Sequence, residues 1–263
     1  MVVRGPDGQT SACDLIWMRP ARRRRGQAPS LSREQIVAAC LELADEHGMG
    51  GVSMRAIAAK LGAGPMSLYW YVKSKSDLVD LMLDAVFAQQ EVPGVPSGDW
   101  RKDLRAIARQ MRAVLRRHPW ATPLLGTRPH LGPGAIRHME VSLSALAGLG
   151  LDPITATGIH GTIDFFVGGF VLHECRAEDL KRHSGMNHAA WLRAISPYLR
   201  QVLASGTYPT VATFFAQVVE HGAPVWEPDP DAQFEFGLDC LLRGIADRIG
   251  AAPAGDPDGR QGT

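Results

Sequence analysis

The chain contains few cysteines and few aromatic residues. Of its 263 residues four are cysteines, and 7% are aromatic. The cysteines, Cys13, Cys40, Cys175 and Cys240, lie far apart and form no CxxC pair. This spacing argues against a disulfide scaffold and against a cysteine-based zinc cluster. We therefore expect buried or incidental thiols and no metal site.

Long apolar runs are also missing. No uninterrupted apolar stretch reaches the roughly 18 residues that span a bilayer, and the longest candidate, residues 163–172, carries Asp164. The first 20 residues have one early arginine, Arg4, and no continuous apolar core, which is unlike a secretory signal. We expect a cytoplasmic protein with no membrane partner.

The overall charge is nearly balanced, with 28 Lys and Arg against 27 Asp and Glu. This balance excludes a uniformly basic protein that coats nucleic acid. The charge is nevertheless unevenly distributed, since residues 19–75 hold ten basic against four acidic side chains, a net charge of +6. Such asymmetry indicates a polyanionic partner at the N-terminal end. The alternative is that the arginine run at 22–25 is only a solvated arm.

Local signals predict four helices near the N-terminus. Residues 1–30 lack periodicity and are predicted to be a flexible basic arm. Ser32 and Gln35 form a capping-box pattern that starts a helix over 32–47, and Gly48 ends it. Ser53 caps a very short second helix that ends at Gly62. A third helix of about two turns follows, and it begins at Pro65.

The fourth helix, over 77–90, is capped by Ser74 or Ser76. Two short helices joined by a turn with glycine, at about 53–72, describe a helix-turn-helix. Further on, the apolar spacing predicts helices at about 99–117, 133–149, 152–175, 189–204, 209–221 and 230–250. Strand alternation is absent from the sequence, and 251–263 is predicted to be disordered. We therefore expect an all-α fold.

Residues 31–91 resemble the DNA-binding region of the TetR family of transcriptional regulators. The resemblance rests on LSREQIVAACLELADEHGMGGVSMRAIAAKLGAGPMSLYWYVKSKSDLVDLML. Shorter stretches, LGTRP, FFVGGFVLHE and FEFGLDCLLRGI, are similar to the family's tetracycline repressor members. The resemblance implies a DNA-binding domain at 31–76 and a C-terminal helical effector-binding and dimerisation domain at 77–250.

The expected DNA contacts lie around the third helix. Its N-terminal residues would face base edges in the major groove. By resemblance, Ser67 contacts a base, Tyr69 and Trp70 contact phosphate and sugar, Lys75 binds a phosphate, and Arg55 reads a guanine. Tyr69 as a core residue and Arg55 as a solvated surface residue are the alternatives. The expected DNA-binding residues are Arg24, Arg25, Arg55, Met66, Ser67, Tyr69, Trp70, Lys73 and Lys75, the arm arginines reaching the minor groove.

The resemblance also implies a small-molecule pocket among the C-terminal helices. The tetracycline-binding members hold the drug and a magnesium ion through two histidines, and the corresponding positions here are Leu124 and Phe165. We therefore expect an apolar, metal-free effector with Arg128 as a polar anchor. Ordinary core packing is the alternative for each candidate. The expected lining residues are Trp120, Leu124, Arg128, His130, Met139, Phe165, Phe166 and Trp191.

A two-fold dimer would double the contacts on a palindromic operator. The helices at 152–175 and 230–250 are rich in glycine, which suggests close helix approach, and we expect them to form the dimer interface. The sequence thus predicts a homodimeric, ligand-responsive DNA-binding regulator, most simply a repressor that an effector releases. No catalytic motif, catalytic residue or cofactor is expected. A helical small-molecule-binding protein or an enzyme with a vestigial DNA-binding domain is the alternative.

Overall fold

The computed structural model describes residues 16–18, 31–125, 130–185, 188–220 and 229–250. All regular secondary structure within these residues is helical, so the predicted all-α class is confirmed. The predicted DNA contacts Arg24 and Arg25, the predicted anchor Arg128 and the predicted disordered tail lie outside the described residues.

Four helices build the N-terminal region: α1 (Arg33–Gly51), α2 (Met54–Lys60), α3 (Pro65–Leu68) and α4 (Lys75–Phe87). The predicted capping box is present, since the Ser32 hydroxyl accepts the Gln35 N–H at 3.1 Å and the Gln35 side chain accepts the Ser32 N–H at 2.8 Å. Gly48 breaks the helical path with a φ of 67°, and one further turn carries α1 to Gly51. The predicted stop therefore appears as a kink inside the element.

Serine caps also begin the next helices. Ser53 accepts the Ala56 N–H and starts α2, and Ser74, rather than Ser76, accepts the Asp77 N–H and starts α4. Pro65 is the first residue of α3, where the missing N–H of proline costs no helical hydrogen bond. α3 is shorter than the two turns predicted, because the chain turns from Tyr69 onward.

Side chains from all four helices form the core of the N-terminal region. The buried apolar side chains recur three and four residues apart along the helices, so they form a continuous apolar face on each helix. Exclusion of this surface from water stabilises α2 and α3, which are too short to be stable alone. The most deeply buried members include Ile36, Cys40, Ile57, Leu68 and Met82, and Val72 from the turn after α3 joins them.

Six further helices lie in the described part of the chain: α5 (Trp100–Arg117), α6 (Pro133–Leu146), α7 (Pro153–Ser184), α8 (His188–Ala204), α9 (Pro209–Glu220) and α10 (Pro230–Gly250). Their starts lie within one residue of the predicted ones, and α7 continues beyond its predicted end at 175. The chain divides into two compact units, Met1–Val171 with Ile245–Thr263 and Leu172–Gly244. α4, α5 and α6 pack together within the first unit, and α8 packs on α9 within the second.

Two short 3₁₀ helices differ from the sequence expectation. Ile16–Met18 forms one inside the predicted flexible arm, with Ile16 buried, and packs against α4. Pro119–Leu124 forms the other, where the sequence predicted only a break. Trp120 in this segment donates its indole N–H to Asp45 of α1 at 2.7 Å. Both contacts join residues that are far apart in the chain. The spacing of apolar residues within one segment does not predict such contacts.

The long helix α7 differs from the expectation on membrane spans. Over Pro153–Asp179 it is long and apolar enough to cross a bilayer by length and composition, although 22% of its most apolar window is already buried inside the chain. The sequence prediction counted only uninterrupted apolar residues and therefore missed this helix. A single helix of this kind is weak evidence for a membrane span, because the core helix of a soluble protein passes the same test.

Candidate DNA-binding surface and effector region

α3 separates a buried side from an exposed side within four residues and the following turn. Leu68 and Val72 are completely buried, whereas Met66 and Trp70 are 76% and 73% exposed. Ser67 is exposed, and Tyr69 keeps 46% of its surface accessible, so Tyr69 is not a core residue. The inward leucine and valine fix the helix, and the outward side chains form a surface that a macromolecule can reach.

Cationic side chains flank this exposed face. Arg55, in the first turn of α2, is exposed, as are Lys73 and Lys75. The buried Asp77 carboxylate accepts the backbone N–H of Lys73 at 3.2 Å, which fixes the turn that leads into α4. Lys75 is the first residue of α4, so its exposed side chain starts at the positive end of the helix dipole. This arrangement suits a phosphate group.

Lys60 shows a contrasting use of positive charge. Its ammonium lies 2.8 Å from the Glu42 carboxylate and 4.0 Å from that of Glu46. The hydrogen bond to Glu42 raises the pKa of Lys60. Two carboxylates of α1 thus offset the charge of Lys60.

The structure describes seven of the eight predicted effector residues, and their surroundings differ. Trp120 is buried against Asp45, and Phe165 is 81% exposed on α7. The His130 ring lies 6.1 Å from the Phe87 ring, and the Phe166 ring lies 5.9 Å from the Phe170 ring. Leu124 and Met139 are half-buried, and Trp191 is 37% exposed in the second compact unit.

Arg112 is a central residue that sequence reasoning missed. It is buried on α5, and its guanidinium carbon lies 5.3 Å from the centre of the Phe170 ring. A buried cation over an aromatic face is a favourable electrostatic contact. The available signal was an arginine within the apolar stripe of α5, between Met111 and Leu115.

The junction of α4 and α6 is unusually close. The Asp84 carboxylate accepts the N–H groups of Gly134 and Ala135 at 2.8 and 3.1 Å. A Cβ atom on Gly134 would lie 2.3 Å from the carbonyl oxygen of Asp84. Burial raises the pKa of Asp84, against the opposite effect of the two amide hydrogen bonds. The N-terminus of α6 is therefore fixed directly on the helix that begins with Lys75.

An open cleft of about 540 Å³ lies at the other end of α6. Its wall is apolar and includes Leu143, Leu146, Leu151 and Ala156. Of the described effector candidates, none lines this cleft.

Two histidines and a carboxylate meet between α6 and α7. His138 Nε2 lies 2.9 Å from one oxygen of Asp164, and His160 Nε2 lies 3.6 Å from the other. The two imidazole ring centres are 5.3 Å apart. The sequence prediction of no metal site took no account of this group. The signal was the spacing of four between His160 and Asp164, which places both on one face of a helix.

Comparison with known proteins identifies the chain. The family described as "Bacterial regulatory proteins, tetR family" matches residues 36–82, and the "Tetracyclin repressor-like, C-terminal domain" matches residues 92–249. The chain belongs to the TetR family. The first match covers α2, α3 and most of α4, which carry the exposed face described above, and the second covers α5 to α10 almost entirely.

Individual TetR family proteins show the same similarity. The HTH-type transcriptional repressor DrrR1 of Streptomyces coeruleorubidus is 39% identical over 234 residues, covering 88% of this chain and 83% of that protein. An HTH-type transcriptional regulator of Saccharopolyspora erythraea is 35% identical, covering 89% and 92%. The Streptomyces coelicolor protein ActR, solved in complex with actinorhodin, has a TM-score of 0.68 at 28% identity, covering 87% and 100%.

These findings support a ligand-responsive DNA-binding repressor with an N-terminal helix-turn-helix and a helical C-terminal region. The relatives named above are transcriptional regulators, and none of their names is that of an enzyme. The family match over residues 36–82 contains α2 and α3, the two helices that the sequence predicts to form the helix-turn-helix.

Proposed function

We propose that this TetR family protein is a homodimeric repressor that binds a palindromic operator and is released by a small apolar effector. The observation that carries the DNA-binding part is the exposed face of α3. There, Met66, Ser67 and Trp70 face outward while Leu68 is buried. Only a helix whose outer side chains are free of the core can place them against base edges in a groove about 12 Å wide.

Base and phosphate contacts divide between neighbouring elements in this proposal. Met66 and Ser67 read base edges, the methionine through apolar contact and the serine through its hydroxyl. Arg55 reads a guanine, a contact worth about 1–3 kcal/mol of discrimination when it is bidentate. Tyr69, Trp70, Lys73 and Lys75 bind the backbone, and Arg24 and Arg25 reach the adjacent minor groove.

The exposed face of α7 supports its role as one dimerisation surface. Ile154 and Phe165 are 83% and 81% exposed on this face, and a Cβ atom on Gly158 or Gly169 would meet nothing within 4 Å. Glycine inside a helix costs about 0.5–1 kcal/mol relative to alanine. Close approach of a second protomer would explain why glycine is present at these positions despite this cost. A dimer contact on α7 would also cover the exposed apolar surface that makes the composition of this helix similar to that of a membrane-spanning helix.

The exposed face of α10 supports a second contribution to the dimer. Phe236 is 73% exposed there, one turn before the exposed Cys240, and Gly244 follows after another turn. A Cβ atom on Gly244 would meet nothing within 4 Å. The spacing of four residues places these positions on one side of the helix, where they form an apolar stripe suited to a partner helix.

The α4–α6 junction supports a route for the effector signal. An effector among the C-terminal helices would move α6, and α6 is bound to Asp84 of α4. Since α4 begins beside α3, its displacement changes the separation of the two recognition helices in a dimer. Half-sites one helical turn apart require about 34–36 Å. Leu124, Arg128, His130, Met139 and Phe166 remain the proposed effector contacts, and the cytoplasm is the proposed location.

Operator binding by substituted proteins tests the DNA-binding surface. We expect Lys75→Ala and Tyr69→Ala to weaken binding to a fragment from upstream of the protein's own gene. Loss of a phosphate contact at Lys75 lowers the slope of log affinity against log salt by about 1. Arg55→Ala is expected to weaken binding by about 1–3 kcal/mol and to relax base preference at one position. Fluorescence anisotropy across a salt series measures all three.

The matched control is Lys102→Ala, which removes an exposed lysine from α5, away from the proposed surface. Its affinity and salt slope should equal those of the native chain. Unchanged binding by the Lys75 and Tyr69 variants would overturn the assignment of this surface. If an effector binds the protein but leaves its affinity for the operator fragment unchanged, the proposed release by effector is overturned.

A further inference from the structure

The group formed by His138, His160 and Asp164 joins two helices of the C-terminal region. His138 belongs to α6, and the other two residues lie one turn apart on α7. Both histidines are buried, and the Asp164 side chain is 22% exposed. The group is thus enclosed on most sides and accessible along the carboxylate.

The donor atoms are close enough for a single ion to bind them. One donor atom from each of the three side chains lies within 4.8 Å of the other two. Ligands of a tetrahedral zinc ion, at bond lengths of about 2.0–2.2 Å, are separated by about 3.3 Å. His138 Nε2 lies 2.9 Å from one Asp164 oxygen and His160 Nε2 lies 3.6 Å from the other, separations of the same order. An ion would enter between the carboxylate and the two rings and replace the hydrogen bond between His138 and Asp164.

Hydrogen bonds do not hold the ring of His160 firmly. Its Nε2 lies 3.6 Å from the Asp164 oxygen, a separation longer than a hydrogen bond. Within the described structure, Nδ1 of His160 is buried and has no hydrogen-bond partner. An ion bound through Nε2, the nitrogen that faces Asp164, would fix a ring that hydrogen bonds leave loosely held.

The donor set selects a class of metal. Magnesium and calcium prefer oxygen ligands throughout. Two imidazole nitrogens and one carboxylate suit zinc and the neighbouring divalent transition metals, with a fourth position for water. We propose that His138, His160 and Asp164 bind one such ion per chain, with zinc as the reference ion, and that this ion clamps α6 to α7.

Cobalt titration of the full chain tests this site directly. The protein is purified without a polyhistidine tag, treated with chelator and titrated with Co²⁺, whose visible d–d absorption reports a protein-bound ion. We expect one equivalent to bind and excess Zn²⁺ to displace it. Asp164→Asn and His160→Gln, which keep the approximate shape of each side chain, should each weaken binding at least tenfold.

Two controls separate this site from other histidines. His173→Gln removes an exposed histidine of the same helix, and His118→Gln removes another buried histidine paired with a carboxylate, Asp45. Both variants should keep the native cobalt spectrum. Zinc should also raise the melting temperature of the native chain and of His173→Gln, but not that of Asp164→Asn or His160→Gln.

The proposal is overturned if the native chain binds no stoichiometric cobalt, or if the Asp164 and His160 variants bind as tightly as the native chain. Loss of binding in His173→Gln would overturn it as well. A variant that fails to fold is replaced by His138→Gln, with circular dichroism of the metal-free protein as the check. The cobalt titration contains no DNA. A negative result therefore overturns the metal site and does not bear on the proposed repressor function.

Discussion

Cys40 shows how one buried side chain affects both packing and ionisation. It is completely buried in α1, and burial raises the pKa of its thiol to about 12 from a reference value of 9.0. The folded chain keeps this proton at a pH where the unfolded chain loses it. The associated stability is therefore fully present below about pH 9 and is lost as pH rises toward 12.

We expect the free energy of unfolding of the native chain to fall more steeply above pH 9 than that of Cys40→Ala. The extra slope approaches about 1.4 kcal/mol per pH unit, the value for one proton bound only in the folded state. Guanidinium unfolding at intervals between pH 8 and 10.5 measures it. Since lysines and tyrosines are common to both proteins, they cancel in the comparison. Parallel pH profiles would contradict the assignment.

Sequence reasoning succeeded for residues whose partners are near in the chain. Ser32 and Gln35 are three residues apart, and the capping box they form could be read directly. His138 and Asp164 are 26 apart, and Asp84 and Gly134 are 50 apart. Apolar spacing shows which face of a helix is buried, but it does not show which helix covers that face. The effector residues therefore stay a prediction, while the exposed residues of α3 were predicted from the family pattern.

At the scale of elements, the contact between α4 and α6 depends on the absence of a side chain. Gly134 lets the N-terminus of α6 approach the backbone of α4, and its N–H binds Asp84 at 2.8 Å. The helix bounds were predicted from caps and glycine stops. The close approach of α4 and α6 was not predicted, because a glycine at the start of a helix can have several explanations.

Gly134→Ala tests this close approach. The added Cβ would lie 2.3 Å from one backbone oxygen of α4 and 2.9 Å from the backbone nitrogen of Ala88, so the helices must separate. We expect the free energy of unfolding to fall by about 1–3 kcal/mol, as for other overpacked sites. Thermal or guanidinium unfolding measures the loss.

Gly50→Ala is the control, because a Cβ there meets nothing within 4 Å. Because Gly50 lies in the last turn of α1, alanine there should leave stability unchanged or raise it by up to about 1 kcal/mol. If Gly134→Ala proved as stable as this control, the two helices would be further apart in solution than described here.

At the scale of the whole molecule, the proposed repressor requires two copies. The exposed aromatic side chains Phe165 on α7 and Phe236 on α10 mark the proposed contact faces. Because charged groups are costly to desolvate, an aspartate at either position should oppose association strongly. We expect Phe165→Asp and Phe236→Asp to convert the dimer to monomers and to weaken operator binding accordingly.

Sedimentation velocity over a concentration series measures this dissociation. Ile136→Asp is the matched control, since Ile136 is an exposed apolar residue of α6 outside the proposed faces. It should leave the dimer intact. A Phe165 variant that remained dimeric but lost the response to effector would instead place Phe165 in the effector site, as the sequence first predicted.

The small size of α3 bears on how related repressors acquire different targets. Leu68 and Val72 hold the helix from inside, and Met66 and Trp70 have no part in the core. Substitutions at the outer positions should therefore change stability by no more than about 0.5 kcal/mol. A duplicated gene could change its operator preference through a few such substitutions, with each intermediate still folded. Fold and target sequence can then diverge at independent rates.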